Sequence, residues 1–278
     1  MKKNYIIIGI VIIIICTYFY LTKFGKINVS GSTLEVTYID VGKADSILIT
    51  QGNHSMLIDG GTNEERKNVY KYIKEKGINK LDYIIATHPH KDHIGGLDYI
   101  IDKIEVDKII MPQIEIDSNS YDDLMDAIDD NNVLKEYSKV NNNYSLGKAN
   151  FTILAPNEKE YTEINNYSIV IKLDFYNNSF IFEGDAQALS EMEMVEKKYD
   201  LNADVLKIAH HGSEYATCDD FLKAVNPQYA IISVGGNKVP SEDTLKRLEN
   251  QGVKVFRTDI NSDITCVSNG NELTFLKD

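Results

Sequence analysis

At 278 residues the chain is long enough for one large α/β domain with an ample core, and no low-complexity tract, fixed-period repeat or flexible linker divides it. Its formal net charge of −13 argues against a nonspecific basic groove for nucleic acid. Cys16, Cys218 and Cys266 lack the paired spacing of a zinc knuckle or a redox motif, so no disulfide framework is expected, and Cys218 and Cys266 read as small buried side chains.

The amino terminus differs from everything after it. Residues 5–22, YIIIGIVIIIICTYFYLT, carry no charge and are flanked by Lys2, Lys3 and Lys23. Eighteen residues in a helix make about 27 Å, close to the hydrocarbon thickness of a bilayer. The run exceeds the apolar region of a signal peptide, and the small-x-small triplet Ser30-Gly31-Ser32 lies well beyond Lys23. An uncleaved anchor is therefore expected in preference to a cleaved export signal. Lys2 and Lys3 favour a cytoplasmic amino end and an extracytoplasmic domain. The expected division is an anchor or signal over 1–23, a linker over 24–33 and one domain over 34–278. Without residues 1–23, 26 basic and 42 acidic side chains remain, a formal charge of −16.

Three short apolar runs follow, LEVTYI (34–39), SILIT (46–50) and SMLID (55–59), the last two forming a predicted hairpin across Gln51-Gly52-Asn53. Asn63 to Lys76 reads as a helix with Val69, Tyr72 and Ile73 on one face and a stop at Gly77. LDYIIAT (81–87) is a β-branched strand that runs directly into THPHKDHIGG. The middle, to about residue 165, reads as a weak helix, a strand KIIMP (108–112), an acidic helix near 120–130 and an Asn-rich loop. Strands return at 168–176 and 179–185, before a helix whose Leu189, Met192, Val195 and Tyr199 share a face. Met192 and Met194 read as core filler. Strands at 204–209 and 229–234 then alternate with helices near 218–224 and after Ser241, a good N-cap. Closing strands are predicted near 253–257, 263–267 and 272–276. Two packed sheets with helices outside, a layered α/β sandwich, fit this order best.

Three of the six histidines, His88, His90 and His93, lie with Asp92 in six consecutive positions after a strand. Imidazole and carboxylate are the ligands of zinc, manganese and iron, and residues two apart in an extended turn can converge on one ion. Asp92 and His93, pointing elsewhere, can bind a second. Asp185 and the pair His210-His211 also follow predicted strands, so three loops could open on one edge. His54, in a turn, is left as a surface residue.

The loop resembles the HxHxDH signature of the metallo-β-lactamase superfamily, which implies a four-layer αββα sandwich. YIDVGKADSILI (38–49), MLIDGG (56–61), NNYSIVIKL (165–173), FIFEGDA (180–186) and DVLKIAHHGS (204–213) follow in an order similar to the C-terminal domain of ComEC-type DNA-uptake proteins and their stand-alone relatives. Carried over, the resemblance implies two divalent ions, zinc or manganese. It gives His88 and His90 to one ion and Asp92 and His93 to the other, with Asp185 between them and His210 or His211 completing the second site. Asp59 would orient a ligating imidazole, although a plain turn aspartate before Gly60-Gly61 explains it equally well. Asn166 and Ser168, with Asn165, match an Asn-x-x-Ser element or are ordinary loop and strand residues. The implied chemistry is hydrolysis, with Asp92 and Asp185 holding and orienting the attacking water.

This chain departs from the pattern at Lys43 and Ala44, which replace Gln and Gly, at Val239, where a histidine is common, and at Glu214 and Ala216. These changes spare the metal residues and weaken the grip on a polyanion. The resemblance implies a phosphodiester substrate, DNA among them, that an acidic domain would bind weakly and with steep salt dependence. A small ester, a lactone or a cell-wall phosphodiester is the alternative, as is a degenerate metal-binding module. One span cannot form a transport channel, so an uptake role requires a channel partner.

Overall fold

The computed structural model describes residues 33–236 and 239–277. The apolar segment at 5–22, and the anchor expected there, lie outside the described residues. Among the described residues no helix is long and apolar enough to cross a membrane.

The first half builds one sheet. Strands β1 (Leu34–Tyr38), β2 (Ile47–Gln51) and β3 (His54–Ile58) form an antiparallel meander. Helix α1 (Arg66–Glu75) then crosses over to β4 (Lys80–Ile85), which pairs parallel to β3. Two short helices, α2 (Lys91–Ile94) and α3 (Leu97–Ile101), lead to β5 (Glu105–Met111), and α4 (Asn119–Asp130) leads to β6 (Leu134–Tyr137). All three strands from β4 onward run parallel to their predecessors. Ser118 caps α4 through its hydroxyl, which accepts from the Tyr121 N–H.

The second sheet begins where the sequence reads as a loop. Residues 143–155 form a hairpin, β7 (Asn143–Leu146) and β8 (Ala149–Ala155), and β8 pairs with β9 (Val170–Phe175). The asparagines mask a period-two pattern in which Phe151 and Ile153 face the core. Strand β10 (Asn178–Phe182) closes the antiparallel part. Helices α5 (Ala188–Glu196), α6 (Asp219–Val225) and α7 (Glu242–Asn250) then connect β10, β11 (Val205–Lys207), β12 (Tyr229–Ile232) and β13 (Lys254–Arg257), all parallel. After a short helix α8 (Thr258–Asn261), β14 (Ile264–Ser268) and β15 (Leu273–Lys277) return to the first sheet beside β1.

Three apolar cores separate four layers. The central one joins Ile47, Ile49, Met56 and Ile58 of the first sheet to Phe151, Leu173, Phe180 and Phe182 of the second. The next residues along the same strands, Leu48 and Leu57, pack outward against Val69, Ile73, Leu97 and Leu124. On the other side Ile181, Leu206 and Ile232 meet Met194, Phe221 and Leu248. Strands buried on both faces read as continuous apolar runs, which is the pattern seen here. The sandwich is the expected αββα arrangement.

Helix α5 keeps part of its predicted face, with Val195 and Tyr199 packed against the core, and departs from it at its first turn. Met194, Ser190 and Glu191 are buried, whereas Leu189 is 56% exposed. The carboxylate of Glu191 accepts the N–H groups of Thr217 and Cys218 in the loop that follows β11, which accounts for a buried acid on this face.

Candidate metal centre

Every candidate ligand follows the carboxyl end of a parallel strand, β4, β10 or β11. Such strand ends form the crevice of open α/β sheets. Here the two sheets present theirs to each other.

Asp59 leaves β3 in a left-handed conformation, φ 58°, and is fully buried. Its Oδ1 accepts the Thr87 N–H at 2.8 Å, and Oδ2 accepts the Thr87 hydroxyl at 2.7 Å. The same Oδ2 lies 2.7 Å from His93 Nδ1. A carboxylate on Nδ1 holds the ring as the Nδ1–H tautomer and leaves Nε2 for a cation. Thr87 Oγ1 also lies 3.2 Å from His88 Nδ1, so one hydroxyl serves two imidazoles.

Asp185, 2% exposed, sits at the middle. Its Oδ1 is 3.2 Å from His93 Nε2 and 3.8 Å from His211 Nε2, and Asp92 Oδ2 is 3.5 Å from the same His211 nitrogen. One ligand atom from each of Asp92, His93, Asp185 and His211 falls within 4.8 Å of the others. Asp185 Oδ2 faces the other way, 3.9 Å from His88 Nε2 and 3.8 Å from His210 Nε2. His90 Nδ1 is 3.0 Å from His88 Nε2. The two oxygens of one carboxylate thus face two different histidine groups. His211, fully buried, joins the Asp92 and His93 group, while His210, whose side chain is 22% exposed, stands on the His88 side.

The strand-to-loop turns depend on unusual backbone. His210 and His211 both adopt left-handed conformations, φ 49° and 55°, which aim successive rings at the same carboxylate. Gly184 has φ 55°, and a Cβ there would stand 2.9 Å from the Thr87 side chain. Ser168 Oγ accepts the Asp185 N–H at 3.1 Å, and Asn166 Oδ1 accepts the Gln187 N–H at 3.1 Å. These two residues hold the backbone at Asp185 and just beyond it, so their place in the site is to support that carboxylate.

The electrostatics follow from burial against charge. Burial works against an ionised His93, but Asp185 and Asp59 on either side outweigh it and hold its pKa well above the ordinary value. Burial also opposes the charge of Asp185, and His93 and His211 reverse that, so its pKa is well below the usual carboxylate range. Asp92 is lowered in the same way, against burial, by His211 and His93. For His88, burial and the neighbouring His93 outweigh the pull of Asp185, and its pKa falls well below the ordinary value. His210 is also lowered by burial.

His93 Nε2, His211 Nε2 and Asp185 Oδ1 are buried without a hydrogen-bond partner among the described residues. Buried polar atoms are ordinarily satisfied. Three that converge from different loops, all of ligand type, fit a divalent cation.

Residues 39–236 match the model of the metallo-beta-lactamase superfamily. The chain belongs to that superfamily. It is 29% identical over 251 residues to ComE operon protein 3 of Bacillus subtilis (strain 168), which covers 83% of this chain and 32% of the relative. It is 27% identical over 230 residues to competence protein ComA of Neisseria gonorrhoeae, covering 81% of this chain and 31% of the relative. This superfamily member thus spans about a third of the length of these relatives. The metallo-beta-lactamase fold protein YhfI from Bacillus subtilis shares the fold, with a TM-score of 0.57 at 14% identity over 85% of this chain and 100% of that one.

Sequence reasoning passes over Thr87, Ser233, Asp45 and Lys207. His211 Nδ1 donates to the Ser233 carbonyl at 3.1 Å, which aims Nε2 at Asp92 and Asp185. Lys207 forms a fully buried ion pair with Asp45 at 2.7 Å. The signal that could have found it is a lysine between Leu206 and Ile208 in a strand otherwise apolar. His54 is a surface residue as expected, half exposed and paired with Asp82 at 2.9 Å.

Proposed function

We propose that the chain is a membrane-anchored, extracytoplasmic phosphodiesterase that uses two divalent cations, zinc or manganese, and takes DNA as substrate. The observation that carries the hydrolytic core of this proposal is Asp185, whose two oxygens face separate histidine groups. His88, His90, His210 and Asp185 Oδ2 would hold one cation. Asp92, His93, His211 and Asp185 Oδ1 would hold the other. When bound, the cations supply Lewis acidity for attack of water on phosphorus. Asp92 and Asp185 orient that water through their ionised carboxylates, and Asp59 and Ser233 fix the tautomers of His93 and His211.

Kinship with a competence protein supports DNA as the polymer, and the uncharged run at residues 5–22 supports an anchor. An uptake role would place the chain beside a channel partner. The formal charge of −16 on the chain beyond residue 23 favours a second substrate class, a small ester, a lactone or a cell-wall phosphodiester.

The test incubates the purified full-length protein and manganese or zinc with bis-p-nitrophenyl phosphate, single-stranded DNA or a lactone. Cleavage of both phosphodiesters, lost in His90→Ala and in Asp185→Ala, is expected. Cleavage of the small diester with DNA left intact selects the second class. Metal binding with no turnover of any substrate identifies a binding module instead.

A further inference from the structure

The two sheets each contribute part of the candidate metal centre. Asp92 and His93 come from the loop after β4 in the first sheet, and Asp185 and His211 follow β10 and β11 in the second. The distance of 3.5 Å between His211 Nε2 and Asp92 Oδ2 therefore depends on how the sheets are registered at this edge. The central core between them is apolar, and apolar contacts are nondirectional. They bring sheets together without fixing a ligand to a fraction of an ångström.

Beside the site a backbone hydrogen bond, from the Ile169 N–H to the Thr87 carbonyl at 2.9 Å, crosses that gap, and so does a buried ion pair. Lys207, the last residue of β11, is fully buried, and its Nζ donates to Asp45 Oδ2 at 2.7 Å and to the Ile208 carbonyl at 3.1 Å. Asp45, 1% exposed, lies between β1 and β2 of the first sheet. Its N–H donates to the Asp92 carbonyl at 3.1 Å, and its own carbonyl accepts the Gly61 N–H at 2.8 Å. Its Oδ1 has no hydrogen-bond partner among the described residues and stands 3.8 Å from His211 Nδ1. Asp45 thus touches the backbone of one ligand, the turn after Asp59, the neighbouring sheet and the imidazole of a second ligand.

Burying an ammonium and a carboxylate together is costly, and apolar replacements of buried pairs are often neutral or stabilising. Stability alone does not account for this pair. We propose that Asp45 and Lys207 are positioning residues, a buried clamp that registers the His211 half of the metal centre against the Asp92 half. The proposal rests on the two-cation centre and not on the identity of the substrate.

The test is zinc titration of the full-length protein, with bound metal counted by elemental analysis and site geometry followed by the visible spectrum after cobalt substitution. The parent is expected to bind two equivalents. The Asp45→Asn/Lys207→Met double variant, which leaves no unpaired charge, is expected to keep one equivalent, to bind the second at least about tenfold more weakly and to show an altered cobalt spectrum. Asp45→Glu keeps the ion pair but displaces the carboxylate, and is expected to change the cobalt spectrum while the protein stays folded. Two equivalents at parental affinity with an unchanged spectrum in the double variant overturn the proposal. If the double variant does not fold, parental affinity and spectrum in Asp45→Glu overturn it. A parent that binds fewer than two ions removes the two-cation centre and the clamp with it. Absence of phosphodiester turnover in a parent that binds two ions defeats only the substrate assignment.

Discussion

Glu183 shows at the scale of one residue how the site's surroundings constrain the chain. It lies fully buried two positions before Asp185, and neither carboxylate oxygen has a hydrogen-bond partner among the described residues. Burial, reinforced by Glu191, raises its pKa well above the ordinary 4.5 and outweighs the opposing charge of Lys207. Well below pH 4.5 such an acid is protonated in both folded and unfolded chains, and its ionisation makes no difference to stability. As pH rises past its unfolded value, the unfolded state gains by ionising, and stability is lost until the folded pKa is reached. Glu183→Gln is therefore expected to raise the melting temperature at pH 8 by at least about 2 °C, and by less at about pH 5. Equal shifts at the two pH values in thermal melts would contradict this assignment. The residue is visible in FIFEGDA at the end of a predicted strand, but its burial is not, because a charged side chain is ordinarily exposed and only the packing of Glu191 and the second sheet encloses it.

At the scale of elements, local pattern identifies strands and most helices, and fails where a tertiary contact overrides it. Leu189 and Met192 lie on the apolar stripe expected for α5. The structure buries Met194 completely, as its reading as core filler expects, and packs Val195 and Tyr199 of that stripe against the core, but leaves Leu189 exposed while Glu191 is buried on the N–H groups of Thr217 and Cys218. Met194→Ala is expected to cost about 2–5 kcal/mol, and Leu189→Ala to stay within about 0.5 kcal/mol. Urea titrations of both variants distinguish the two faces, and the reverse order would restore the face predicted from periodicity. The hairpin of β7 and β8 escapes sequence reading for a related reason. Its asparagines carry turn propensity, while the pairing of β8 with β9 and the central core decide its conformation.

The whole molecule is organised by the contact between sheets. Phe180 is fully buried in the central core, with its ring 6.4 Å from that of Phe182. Both halves of the candidate metal centre hang on the sheets that this core joins. Phe180→Ala is expected to lower the free energy of unfolding by about 3–5 kcal/mol, measured by urea titration of the full-length protein. A loss below about 1 kcal/mol would show that the sheets are held elsewhere.

The sequence by itself determined the layered α/β class, the chemical character of the centre and the residues that could ligate, because strand periodicity and the run His88 to His93 are local signals. It also offered Asp59 as either a turn residue or a partner of an imidazole, and the contact with His93 Nδ1 decides between those roles. Only the tertiary structure separated His210 from His211, since the choice depends on two adjacent left-handed residues aiming their rings at different oxygens of Asp185. The same holds for Asp45 and Lys207. They are 162 positions apart, and nothing local records that the two sheets bring one onto the other.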